Sequence, residues 1–194
     1  MREFVIGEDF VGTHPWEAEC FDEAALRSRL AGDLRLGVGE IGLDRLKTRE
    51  IPELQRAVFR RQLALAAEFA RPVVLHGAKC WGEVVRECRD FAGRIPAFLF
   101  HGFSRSPGLL PDIAAVSGFV SVGQAILNDH AVNYRELAKA IPAELLLVET
   151  DRTHENSAEC PSVTAVAAKL AELRGVSLAT LEALVDANAE RFLG

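Results

Sequence analysis

The sequence predicts a parallel α/β fold, and three observations predict it. Short apolar runs alternate with helical patterns along the chain, the strand candidates are apolar nearly throughout, and several of them end on an ionisable residue. Strands buried on both faces and separated by helices imply βαβ units in a parallel sheet. An open doubly wound sheet and a closed barrel are both admissible at this level. No GxGxxG or GxxxxGKS/T follows any strand, so nucleotide-binding Rossmann and P-loop readings lose their main support.

The strand candidates, in order, are Phe4–Ile6, Phe10–Thr13, Leu36–Ile41, Pro72–His76, Ala97–Phe103, Gly118–Val122 and Leu145–Thr150. Between them, Leu54, Val58, Leu63, Ala66 and Ala70 repeat with helical spacing, with Pro52 suited to a first turn. Trp81, Val84, Val85, Cys88, Phe91 and Ala92 fall on one helical face, which makes Trp81 a core residue. Val163, Val166, Ala167 and Leu170 mark another helix, ended by Gly175. Leu178, Leu181, Val185 and Phe192 mark the last, with Ser177 placed to cap it. No internal repeat, low-complexity tract or linker divides the 194 residues, which are expected to form one domain.

Composition narrows the function. Apolar residues make up 49% of the chain and charged residues 26%, enough for a large core under a polar surface. No apolar run has the length of a membrane span, and no signal-peptide pattern opens the chain. Cys20, Cys80, Cys88 and Cys160 show neither zinc-knuckle nor disulfide spacing and read as free thiols of a cytoplasmic protein. The net charge of −6 leaves no broad cationic footprint for duplex nucleic acid. A phosphate-bearing substrate therefore needs a local cation, most simply a metal ion.

The polar residues are informative by position. Glu40 ends the run Leu36-Gly-Val-Gly-Glu40, His76 ends Pro72–His76, His101 ends Phe98-Leu-Phe-His101, and Asp151 follows Leu145–Thr150. His14 closes Phe10-Val-Gly-Thr-His14. In a parallel sheet all strand C-termini share one face, so residues distant in sequence converge there. Two imidazoles and two carboxylates at four strand ends form a donor set for a divalent ion: Zn²⁺, Mn²⁺ or Fe²⁺ by the mixed ligands, Mg²⁺ by a carboxylate-rich half. Glu149 reads as a hydrogen-bonding or salt-bridge partner rather than a ligand. Lys79 follows a ligand-bearing strand end and can reach a phosphate oxygen, as can Arg105, although either fits a plain loop charge. His154 can line the same mouth, and His130 reads as solvated.

Several of these segments together resemble the TatD-type deoxyribonucleases. Gly12-Thr-His-Pro-Trp16 is similar to that family's GxHP segment, and Val38-Gly-Glu-Ile-Gly-Leu-Asp44 to its most recognisable signature. Phe59-Arg-Arg-Gln-Leu63, Pro72-Val-Val-Leu-His76, Phe100-His-Gly-Phe-Ser104, Leu147-Val-Glu-Thr-Asp151 and Asn188-Ala-Glu-Arg-Phe192 follow in the family's order.

The resemblance implies a (β/α)8 (TIM) barrel of the metal-dependent hydrolase type and phosphodiester hydrolysis on DNA with one or two divalent ions (Mg²⁺, Mn²⁺ or Zn²⁺). It implies that Glu40 bridges two metals, that His76 and His101 hold one, and that Asp151 helps hold the other and orients or deprotonates the attacking water. His14 would lie near the substrate phosphate; Lys79 and His154 join it as substrate-binding candidates by their positions near the strand ends, not by the resemblance. Two departures qualify this. The family's first strand carries an HxH motif that this sequence lacks, which predicts a barrel without its first strand, two exposed sheet edges and a possible homodimer. The natural protein is then expected to carry such a segment ahead of Met1. The family's ETDxP is also replaced here by Glu149-Thr-Asp-Arg-Thr153. Two other functions are compatible with these departures: an ester or amide hydrolase of the same superfamily, and a catalytically impaired barrel kept for binding.

Overall fold

The computed structural model describes residues 9–46, 50–105, 107–150 and 162–194. The strand expected at Phe4–Ile6 and the candidate residues Asp151 and His154 lie outside them, as does Cys160. Six strands form one sheet: β1 (Phe10–Val11), β2 (Gly37–Asp44), β3 (Val73–Ala78), β4 (Phe98–Phe100), β5 (Gly118–Val122) and β6 (Leu146–Val148). All neighbours are parallel and their spatial order is their sequence order. That is the order of a barrel, since a doubly wound sheet reverses direction at a switch point. Nearly every strand residue is buried, as expected of strands covered on both faces.

The helices are α1 (Glu23–Gly32), α2 (Glu53–Glu68), α3 (Trp81–Arg89), α4 (Leu110–Ala115), α5 (Val132–Ala140), α6 (Val163–Arg174) and α7 (Leu178–Leu193). Their ends follow local chemistry. Ser162 and Ser177 accept the N–H groups of Ala165 and Thr180, and Gly175 stops α6 in the left-handed region at φ 67°. Pro52 sits just before the first turn of α2. Trp81 is buried, packed against Phe100 and Phe103. Among the described residues no helix is long and apolar enough to cross a membrane.

The sheet is strongly curled. The Phe192 ring of α7 lies 5.8 Å from Phe10 on β1 and 5.9 Å from Phe119 on β5. A flat sheet would hold the first and fifth strands about 19 Å apart at ~4.8 Å per strand. One side chain can touch both only if the sheet bends into an arc. β1 is shorter than the sequence suggests because a side chain takes over its pairing. The Thr13 N–H donates to Gln62 Oε1 at 2.7 Å and Gln62 Nε2 donates to the Thr13 carbonyl at 3.0 Å. This fixes the segment that leads into His14.

Candidate metal centre at the strand C-termini

β2 and β3 build the centre. Their register pairs Gly42 with His76 and Asp44 with Ala78, after a shift between Val38 and Ile41. Such irregularities re-aim a side chain, here the half-buried Glu40. Gly42 permits the close approach: a Cβ at that position would lie 2.0 Å from the His76 carbonyl oxygen, and its φ is +152°. The result is a carboxylate on each side of one imidazole. His76 Nδ1 is 3.0 Å from Glu40 Oε1, and its Nε2 is 2.8 Å from Asp44 Oδ2.

Asp44 is buried and heavily engaged. Its carboxylate accepts the Leu46 N–H at 2.6 Å as well as the His76 ring, and the Trp16 indole also hydrogen-bonds it. Its own N–H donates to Gln55 Oε1 at 2.8 Å. Burial opposes its ionisation, but these donors outweigh burial and hold the carboxyl below the usual range. Glu40 behaves likewise: burial raises its pKa, and the His76 bond with the fields of His101, His76 and His14 lowers it further than burial raises it. For His76 burial disfavours the charge, yet the two carboxylates win and push the imidazole upward.

His14 completes a close trio. One donor atom each of His14, Glu40 and His76 lies within 4.8 Å of the others, and the two imidazoles meet edge to face at 4.5 Å between centroids. His14 Nδ1 accepts the Trp16 N–H at 3.2 Å, and burial with the charge of His76 lowers its pKa. His101 stands beside this trio rather than within it. Its Nδ1 is bonded to Glu149, which also takes the Ser121 hydroxyl and the Gly102 N–H at 2.9 Å. Glu149 is thus the bonding partner that the sequence reading made it. The charge of His101 nevertheless reaches Glu40. Lys79 is exposed at φ 58°, and His130 is exposed. Beyond the His101–Glu149 pair a groove of about 600 Å³ opens, lined by Ser104, Arg105, His130, Asn133 and Tyr134. Tyr134 ties the groove to the site, its hydroxyl accepting the Gly123 N–H at 2.8 Å.

The sequence reading missed Asp44, Ser121 and the indole of Trp16. Asp44 carried a signal, since residues four apart on a strand share a face and Asp44 is four beyond Glu40. Ser121 carried none, because its role depends on which strand lies beside β6.

The donor set suits a divalent ion. One imidazole or carboxylate donor atom each of His14, Glu40 and His76 lies within 4.8 Å of the others, a mixed nitrogen and oxygen set of the kind that Zn²⁺ or Mn²⁺ takes. With Nε2 held by Asp44, Nδ1, which bonds Glu40 here, is the atom that His76 would offer to an ion on losing its proton, the carboxylate–histidine arrangement that orients metal ligands. His101 is held by Glu149 in the same manner.

A family model described as TatD related DNase matches residues 9–194. The chain belongs to the TatD family. It is a metal-dependent hydrolase of that family with the family's barrel-type fold. It is 30% identical to the 3′-5′ ssDNA/RNA exonuclease TatD of Klebsiella pneumoniae over 198 residues, 94% of this chain and 75% of that protein. It is 27% identical to the uncharacterized metal-dependent hydrolase YabD of Bacillus subtilis, covering 93% and 75% of the two chains. Among solved structures, the YjjV TatD homologue of Escherichia coli superposes with a TM-score of 0.77 at 24% identity, over 94% of this chain and 74% of that one. A TatD family hydrolase of Entamoeba histolytica gives 0.75 at 17%, over 94% and 73%. These structures establish the fold.

Proposed function

We propose that this TatD family hydrolase cleaves phosphodiester bonds in single-stranded DNA or RNA, removing nucleotides from the 3′ end, using divalent ions held at Glu40 and His76. The observation that carries the reading is the pair of carboxylate-anchored imidazoles, Asp44–His76 and Glu149–His101, beside Glu40. The 30% identity to an ssDNA/RNA exonuclease supports the choice of substrate. His101 and Asp151, the latter three residues beyond the end of β6, are the remaining candidate ligands. A bound ion would supply a hydroxide at neutral pH and neutralise charge on the transferring phosphoryl group.

The chain's own groups then divide the work. Asp44 accepts from His76 Nε2 and fixes the ring, so that Nδ1, which bonds Glu40, would face the ion on giving up its proton. Glu149 orients His101. Neutral His14, with Nδ1 accepting from Trp16, carries its proton on Nε2 and is a hydrogen-bond donor as it stands. That state suits a phosphate oxygen better than a metal, so His14 is read as a substrate contact. Asp151 is read as orienting or deprotonating the attacking water. Lys79 and His154 are the further phosphate contacts of this reading, and the Arg105 groove is where the strand continues.

The test is a time course on 5′-labelled single-stranded DNA and RNA with Mg²⁺, Mn²⁺ or Zn²⁺, beside EDTA and a His76→Ala variant. The expected result is a ladder shortening from the 3′ end that both treatments abolish. Hydrolysis insensitive to chelator and to His76→Ala would overturn the reading, as would turnover confined to carboxylic esters or amides.

A further inference from the structure

Among the described residues six large apolar side chains are exposed, and one of them, Trp16, stands beside the proposed metal centre. It is 53% exposed, in the 3₁₀ turn Pro15–Cys20 that follows His14. Its ring meets His14 edge-on, with centroids 5.1 Å apart and an interplanar angle of 81°. Its polar edge is satisfied, because the indole hydrogen-bonds Asp44, the carboxylate that also holds His76. Asp44 accepts the Leu46 N–H as well, and Leu46 is equally exposed at 53%. An indole fixed by its edge at the rim of a catalytic centre, with much of its surface in water, is placed to receive a flat partner. The other tryptophan, Trp81, is 3% exposed and packs against Phe100 and Phe103 as a core residue should.

We propose that Trp16 is a stacking platform for a nucleobase of the bound strand, next to the phosphate that reacts. The inference rests on the phosphodiesterase reading and adds to it the recognition of a base. Only one imidazole separates the indole from His76, with His14 touching both rings. A strand whose phosphate lies against His14 therefore carries its neighbouring base toward Trp16. Every base has an aromatic face, so this contact favours nucleic acid over small phosphodiesters without selecting a sequence. The apolar Leu46 extends the rim on which the base would rest.

The chain's two tryptophans make the test direct, because the buried Trp81 reports little of the solvent face. The full-length chain in EDTA is titrated with oligo(dT) and with an abasic strand of equal length while indole emission is followed. Stacking on Trp16 quenches emission with oligo(dT) and not with the abasic strand, and Trp16→Phe removes the response. With metal restored, KM is measured for both strands in the parent, Trp16→Ala and Trp16→Phe. The parent should prefer the base-bearing strand by about 5- to 150-fold, the value of one stacked base. Trp16→Ala should bring that ratio near one, and Trp16→Phe should restore most of it. Equal quenching by both strands, or an unchanged ratio in Trp16→Ala, overturns the proposal. A parent that hydrolyses neither strand with any metal fails the phosphodiesterase reading instead, and base-dependent quenching in EDTA remains a separate result.

Discussion

Replacing Asp44 tests whether the proposed metal centre depends on the carboxylate that holds His76 from the side away from Glu40. In Asp44→Ala, His76 Nε2, the Leu46 N–H and the Trp16 indole all lose their acceptor. Asp44 is 3% exposed, so water replaces it poorly. A buried donor left unsatisfied costs about 1–3 kcal/mol. With the ring released, His76 is free to rotate away from Glu40. Losing a carboxylate that orients a ligating histidine lowers metal affinity by roughly 10- to 100-fold, equivalent to about 1.4–2.7 kcal/mol. Calorimetric titration of the metal-free chain with Mn²⁺ and Zn²⁺ measures the loss of affinity, and scanning calorimetry without metal measures the loss of stability. In a chain of this size each kcal/mol moves Tm by about 2–4 °C. Asp44→Asn keeps an acceptor for the Nε2 proton and should lose less of both. An Asp44→Ala variant that binds both ions as tightly as the parent would refute the orientation argument, whatever its Tm.

Two further outcomes follow from packing. Phe192→Ala removes a fully buried ring and its contacts with Phe10 and Phe119, and should cost about 3–5 kcal/mol by urea denaturation, whereas an effect below ~1 kcal/mol would mean that the curl of the sheet does not depend on it. Burial, with the charges of Glu83 and Asp44, pushes the Cys80 thiol up to about 12, and Cys88 is raised by burial as well; peptide mapping after iodoacetamide at pH 8 should therefore show the exposed Cys20 modified and both buried thiols untouched until denaturant is added.

Much of the sheet was legible because buried parallel strands carry their signal in a few contiguous residues. Gly118–Val122 has the expected bounds, and the other five described strands lie within a few residues of theirs. The misjudged ends have physical causes. Gln62 replaces the ladder at Thr13, and β4 stops at Phe100 because Gly102 turns at φ 59° to give its N–H to Glu149. Helix α1 went unread because only Leu26 and Leu30 on it are buried, too few for a periodic stripe, although Asp22 caps it. At the centre, the residue types and the face were readable from strand ends. The pairing was not. Which carboxylate grips His76 depends on the Gly42–His76 register, and whether His14 or His101 completes the close trio depends on how the loops after β1 and β4 fold back.

The Phe10–Phe192–Phe119 stack also bears on synthesis. It joins one of the first described residues to one of the last, so a ribosome must deliver α7 before those rings can meet. Until then the nascent sheet holds Phe10 of β1 without the ring that covers it, and exposed apolar surface of that kind favours association in crowded solution. Contacts of such separation also slow folding, since the loop they close is long. A chain interrupted ahead of α7 would thus lose its seam as well as a helix, leaving the strand before His14 without its cover.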